Sequence, residues 1–457
     1  MGRKLSIIPE DDHDDLIKRY ESFMTKAGSN GYFDVEELEH IVDYYLRKGK
    51  TDAGSGALDF GFRIHPGNPQ LFIKKAKIYL SEGKAKEALR ILEQYPVTSE
   101  YEVLLLKTEA LVQSDRTDEA IEFCNQIIIQ SNNDLDIFCL DLAYIFLARL
   151  EIETAYHFLV AGEKYNPENT DLLYELAFCC EQVNKPDESI RVYKKIIDLD
   201  PFSHEAWFNL GQILFSGHNF TAALDAYEYA MAILPEDALC CLQKAHCNFQ
   251  LNNYKDALED YAEYQALTES DWQVHLFIGE CYERLERFEE SIVSYKKSLE
   301  LNPENFEALT GIGICLLEQE KYSESLEFIK EAIVLNSDAS DVWVYYAEGL
   351  TGIDDNAGAL LAYMKSIELD PDQPDTLMAI ANICMENGEY DTAIFYYEQA
   401  LEKDIDHELE NIHLFMAVAF FQTGNDFAWH MALARAKESN PEAERIFYEI
   451  CNDDVQL

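Results

Sequence analysis

Proline recurs in this chain on a fixed spacing, and that spacing decides most of what the chain can become. Pro167, Pro201 and Pro235 are 34 residues apart, and Pro235, Pro303 and Pro371 follow at 68, twice that interval. A fixed period of this length is the mark of stacked supersecondary units and overrides a domain count based on length. In the segment from His204 to Asp237, counted from position 1, Trp207, Leu210, Gly211 and Leu214 fall at positions 4, 7, 8 and 11. That is the i, i+3, i+4, i+7 spacing of one helix face. Ala223, Tyr227 and Ala230 at positions 20, 24 and 27 make a second stripe, and Pro235 at position 32 ends that helix. Each repeat thus predicts two antiparallel helices joined by a short turn, marked by glycine at Gly49, Gly83 and Gly388. The expected class is all-α.

The pattern Trp207–Leu210–Gly211, then Ala223–Tyr227, then Pro235 resembles the tetratricopeptide repeat (TPR) consensus. Twelve repeats can be laid down, near 35–68, 69–100, 101–135, 136–169, 170–203, 204–237, 238–271, 272–305, 306–339, 340–373, 374–409 and 410–443. Position 8 is small in ten of them, for example Ala177, Gly279 and Gly313, with Val42 and Thr108 as exceptions. Position 20 is likewise small, as at Ala223, Ser189 and Ser291, so the two helix backbones can approach closely. Tyr193, Tyr227, Tyr261, Tyr295, Tyr363 and Tyr397 fill position 24. One helical pair cannot bury all of this alone, so neighbouring pairs are expected to stack in one continuous array over 35–443. The resemblance implies an α-α superhelix, a right-handed TPR solenoid. Residues 1–34 read as an acidic N-terminal cap or arm and 444–457 as a C-terminal cap and tail. The outer repeats depart from the pattern: Glu100 and Asn132 replace the proline, and Trp429 sits where a small residue is expected.

Charge limits the partners. Asp and Glu number 86 against 36 Lys and Arg, for a net charge of −50. Such a surface repels nucleic-acid phosphates and anionic lipid alike and favours a basic or neutral partner. No secretory signal is visible, and the longest apolar run, Ile137–Leu150, is too short to span a bilayer. Eleven cysteines without an export signal suit free thiols in a reducing compartment, so a cytoplasmic protein is expected.

Residues that hint at chemistry fall into repeat phase or fail their context. Cys179, Cys247, Cys281 and Cys315 all occupy position 10, which is packing, and no zinc-type spacing accompanies them. His407, Glu408 and His413 put their histidines six apart, on different helix faces, where a zinc-protease helix needs four. Gly311 and Gly313 begin a nucleotide-type pattern inside a helix with no strand before it. The acidic run Glu10–Asp15 reads as solvated, and Met1-Gly2 with Ser6 matches only the short acylation pattern. A carboxylate clamp of the kind found in chaperone-tail receptors is not visible. Asn382 is at position 9, but Met378 replaces the lysine of position 5 and Lys107 stands at position 7. No metal or cofactor is expected.

In proteins that look like this one, positions 2, 5, 9 and 12 of the first helix line an inner, concave groove. Here positions 5, 9 and 12 hold Leu140, Tyr144, Leu147, Tyr174, Phe178, Phe208, Gln212, Phe215, Leu242, His246 and Phe249. That is an apolar, aromatic stripe where a solvated face would be polar. Later repeats turn acidic or small at Glu280, Glu283, Thr310 and Glu348. The expected function is a scaffold or adaptor that takes a protein or peptide of basic and apolar character on this stripe. A structural homo-oligomer burying the same stripe is the alternative. The repeat part of an enzyme, as in glycosyltransferases bearing similar repeats, is disfavoured because only 1–34 and 444–457 lie outside the array.

Overall fold

The computed structural model describes residues 10–25, 32–94, 101–130, 134–403 and 411–453. Met1, Gly2, Ser6, Glu100, Asn132, His407 and Glu408 lie outside the described residues, as do the side chains of residues 10–14. The described residues form twenty-six helices, twenty-four of them paired into the antiparallel hairpins that the two stripes predict, with Glu10–Thr25 before the pairs and Ala443–Asp453 after them. First helices run thirteen residues, as in Thr170–Gln182, His204–Ser216 and Trp272–Arg284. Second helices run fourteen, as in Pro186–Leu199 and Phe288–Leu301.

Local chemistry sets the helix ends. Asn169, Ser203, Asp237 and Asn305 each precede a first helix, and each accepts a backbone N–H of the first turn. Between the two helices the chain turns through one left-handed residue at position 15. It is Gly49, Gly83, Gly388 and Gly424 in four repeats but Asn184, Asn252, Glu286, Glu320 and Asp354 in others, with φ of 57–62° in those five. The next N–H reaches back to close the first helix, as from Lys185 to the Cys180 carbonyl (2.8 Å) and from Arg287 to that of Tyr282 (2.8 Å). Helix stacking therefore imposes the left-handed residue even where no glycine marks it.

The chain divides into two compact units, 1–218 and 219–457, and the division falls between the two helices of repeat 204–237. In the N-terminal unit the helix Glu10–Thr25 brings Ile17 and Tyr20 onto Phe33, Leu38 and Phe60, giving the array a buried end. In the C-terminal unit Trp429 stacks on Phe447 of the last helix (5.1 Å, 11°), so the large residue at a small-residue phase is covered by Ala443–Asp453. Within hairpins the position-20 serines donate to position-8 carbonyls: Ser189 to Ala177 (3.1 Å), Ser291 to Gly279 (2.8 Å) and Ser325 to Gly313 (2.8 Å). The close approach read from small side chains is thus also hydrogen-bonded.

Candidate functional site

The stripe residues meet different fates. In the N-terminal unit Leu140 is buried, while Tyr144 and Phe178 stay 46% and 45% exposed. Tyr174, Phe208 and Phe215 are half-buried and Gln212 is exposed. Phe208 stacks on His204 (6.2 Å, 15°). In the C-terminal unit Leu242 and Phe249 pack against the core around Tyr261 and Cys281. His246 bonds through Nδ1 to the Tyr261 hydroxyl (2.9 Å) and meets Phe277 edge-on (4.8 Å). Burial holds its imidazole below the ordinary histidine value.

Three stripe residues come together. Tyr174, Phe178 and Gln212 line a cleft of about 410 Å³ with Glu175, Glu181, Tyr193, Glu205 and Asn209, all in the N-terminal unit. The cleft is built by phase. Tyr193 projects from the second helix at position 24 and donates to Glu181 Oε1 at position 12 (3.0 Å), while Ser189 reaches the same oxygen (3.4 Å). Tyr174 shares a hydrogen bond with Oγ of Ser203 (2.5 Å), the capping residue of the next helix, and its ring meets Tyr193 edge-on (6.4 Å, 65°). Burial pushes the Glu181 carboxyl up, against the two hydroxyl donors that pull it down. Tyr144 is pushed up to about 12 by burial and by the charge and hydrogen bond of Glu175. Nearby cations are engaged elsewhere: Arg191 (2.8 Å) and Lys195 (2.9 Å) pair with Glu163 and hold its carboxyl near 2.

The C-terminal unit repeats the device 102 residues later, three periods on. Tyr295 donates to Glu283 (2.7 Å), and a cleft of about 270 Å³ gathers Glu280, Glu283, Glu307, Asp341 and Tyr345 with Arg284. Here Glu280 is pushed up to about 7, first by burial and then by Glu283 and Glu307. The sequence reading noted Glu280 and Glu283 but missed Glu175, Glu181 and Glu205. The available signal was Glu at position 12 together with Ser at 20 and Tyr at 24, a combination present at 181–193 and again at 283–295.

Other motifs resolve into packing. All eleven cysteines are buried, and burial raises the thiols of Cys124 and Cys180 to about 11. Gly311 and Gly313 lie buried in the helix Phe306–Glu318 against Tyr295 and Ile329. Asn382 accepts from the Tyr397 hydroxyl (2.6 Å), and Met378 packs on the core. Among the described residues no group of His, Cys, Asp and Glu could hold a metal, and no helix is long and apolar enough to cross a membrane.

Paired helices in 34-residue phase, small residues at the hairpin contact and buried position-24 tyrosines define a repeat scaffold. Tetratricopeptide repeat models match residues 181–238, 272–305, 294–327 and 374–407, so the chain carries tetratricopeptide repeats. It is 24% identical over 168 residues to human Protein O-mannosyl-transferase TMTC1, 35% of this chain and 19% of that protein. To the peroxisomal targeting signal receptor of Candida albicans it is 23% identical over 195 residues, 39% of this chain and 33% of that protein. The chain thus spans a third or less of the length of these relatives. A solved structure of the APC/C hetero-tetramer Cut9-Hcn1 is similar over 85% of this chain and 96% of that chain, at 12% identity and a TM-score of 0.41.

Proposed function

We propose that the chain is a protein-binding scaffold that takes its partner on the first-helix face of the N-terminal unit, the face that would be concave in a TPR superhelix. The observation that carries this reading is the cleft where Tyr174, Phe178 and Gln212 converge with exposed aromatic surface left over after core packing. Tyr144, Phe208 and Phe215 extend the same face to either side, with Leu140 beneath. In the C-terminal unit Leu242, His246 and Phe249 occupy the same first-helix positions and are taken up largely by packing around Tyr261. Rigid hairpins hold the rings in place before binding, so little conformational entropy is lost on association and aromatic anchors supply most of the affinity. The partner is a protein or peptide segment with basic and apolar side chains, which a net charge of −50 and the aromatic face favour. The array runs over 35–443 and works in the cytoplasm, where its thiols stay reduced. No catalytic step is assigned to it.

The test is the double change Tyr174→Lys with Phe208→Lys, checked first for unchanged helicity and melting. Loss of a partner that the wild-type chain retains in affinity capture supports the reading. Retention of every partner by the folded variant sinks it. Light scattering on the wild-type chain separates the scaffold from a homo-oligomer that covers the same face.

A further inference from the structure

We infer that the cleft around Tyr193 is a receptor for one arginine side chain of the partner, a refinement that rests on the binding face proposed above. Three carboxylates, Glu175, Glu181 and Glu205, rim one cavity of about 410 Å³, and no Lys or Arg is among its lining residues. Among the described residues none of the three takes part in an ion pair; the Arg191 and Lys195 cations are held by Glu163 instead. Negative charge gathered in a concave, partly desolvated site is unfavourable until a cation enters. The walls choose which cation. Tyr174 and Phe178 offer ring faces and edges, and Asn209 and Gln212 add amide oxygens to the rim. A flat guanidinium stacks on aromatic rings, sheds water more readily than an ammonium and carries five donors in a fixed plane for such acceptors. Gaps are left for it because Glu181 is already aimed by Tyr193 and Ser189, and Tyr174 by Ser203, so the acceptors need no rearrangement.

A chain of net charge −50 attracts any cation at long range, so the decisive control changes two of its 86 acidic residues and nothing else. The probes are fluorescent acetylated peptides Ala-Leu-X-Leu-Ala-amide, with X as arginine, lysine or citrulline, the neutral isostere of arginine. They are titrated by anisotropy into the full chain and into Glu175→Gln/Glu205→Gln, whose helicity and melting are checked first. Glu181 is left alone because Tyr193 and Ser189 depend on it. The arginine peptide should bind roughly tenfold or more tightly than the citrulline peptide, and the double variant should erase that preference. Equal binding of arginine and citrulline, no arginine binding up to millimolar concentration, or arginine binding unchanged in the double variant each overturn the inference. A lysine peptide binding as well as arginine overturns the guanidinium assignment. The Tyr174→Lys/Phe208→Lys capture separates the two readings. If it loses the partner while the arginine peptide fails, only the arginine receptor falls; if the peptide binds while every partner is kept, the binding face falls.

Discussion

Tyr193 and Tyr295 occupy the same phase of repeats 170–203 and 272–305, each donating to a position-12 glutamate from a helix anchored by a position-20 serine. Around this shared device the walls differ. Tyr174, Phe178 and Asn209 in the N-terminal unit become Leu276, Glu280 and Gly311 in the C-terminal unit. Ala177 becomes Gly279, and a Cβ on either Gly279 or Gly311 would collide with the Tyr295 ring, which is clasped between the two helices. The Tyr193 cleft has an exposed ring, Phe178, at position 9 and no cation of its own, whereas the Tyr295 cleft, also lined by Phe306 and Tyr345, collects more carboxylates and includes Arg284. One backbone framework thus carries two different cleft linings, because the positions that close the hairpin are distinct from those that face the cleft.

The largest expected effect breaks the clasp. Gly311→Ala forces the Tyr295 ring or the helix to move and should cost about 3 kcal/mol in urea unfolding, as overpacking of a tight core does. Asn209→Ala at the same phase of the other unit should cost less than about 1 kcal/mol. Equal costs would mean that Tyr295 is no more tightly held than Tyr193. Next comes removal of the hydroxyls. Tyr295→Phe leaves Glu283 without its tyrosine donor and should cost about 2 kcal/mol, while Tyr193→Phe should cost about 1, because the Ser189 hydroxyl can turn from the Ala177 carbonyl to Glu181 Oε1, 3.4 Å away. Equal costs, read from the same unfolding curves, would show that the serine hydroxyl gives Glu181 no substitute donor.

The smallest effect is one of pH. The fold holds Glu280 at about 7 against an ordinary 4.5, so it favours the protonated form. The groups facing it are Glu283, Glu307 and Arg284. Below 4.5 the residue is protonated folded or unfolded and costs nothing; stability falls as pH rises from there and the full cost stands above 7. Glu280→Gln should therefore raise stability by about 1 kcal/mol at pH 8 and leave it unchanged at pH 4. A gain that persists at pH 4 would assign the effect to packing and not to charge. Phe178, the counterpart in the other cleft, has no such pH profile to lose.

Much of this was legible in the sequence for a simple reason: packing between helices repeats its demands every 34 residues. Helix pairing, the small residues Ala177, Gly279 and Ser189, the tyrosines of position 24 and the burial of the cysteines all follow from periodicity and volume. The turns were half legible. Gly49, Gly83 and Gly388 announce a left-handed residue, but Glu286 and Glu320 adopt it under tertiary constraint against their own preference.

What the sequence by itself determined is the framework, because buried apolar surface and close backbone approach depend on residue type at a fixed phase. Only the tertiary structure decided which first-helix residues remain available. It sank Leu140 into the core and turned His246 onto Tyr261, yet left Phe178 at the rim. It also drew Glu175, Glu181 and Glu205, spread over two repeats, into one cavity with Tyr174. Phase fixes which side of a helix a residue occupies. Whether that side meets a neighbour or faces solvent depends on how adjacent hairpins stack.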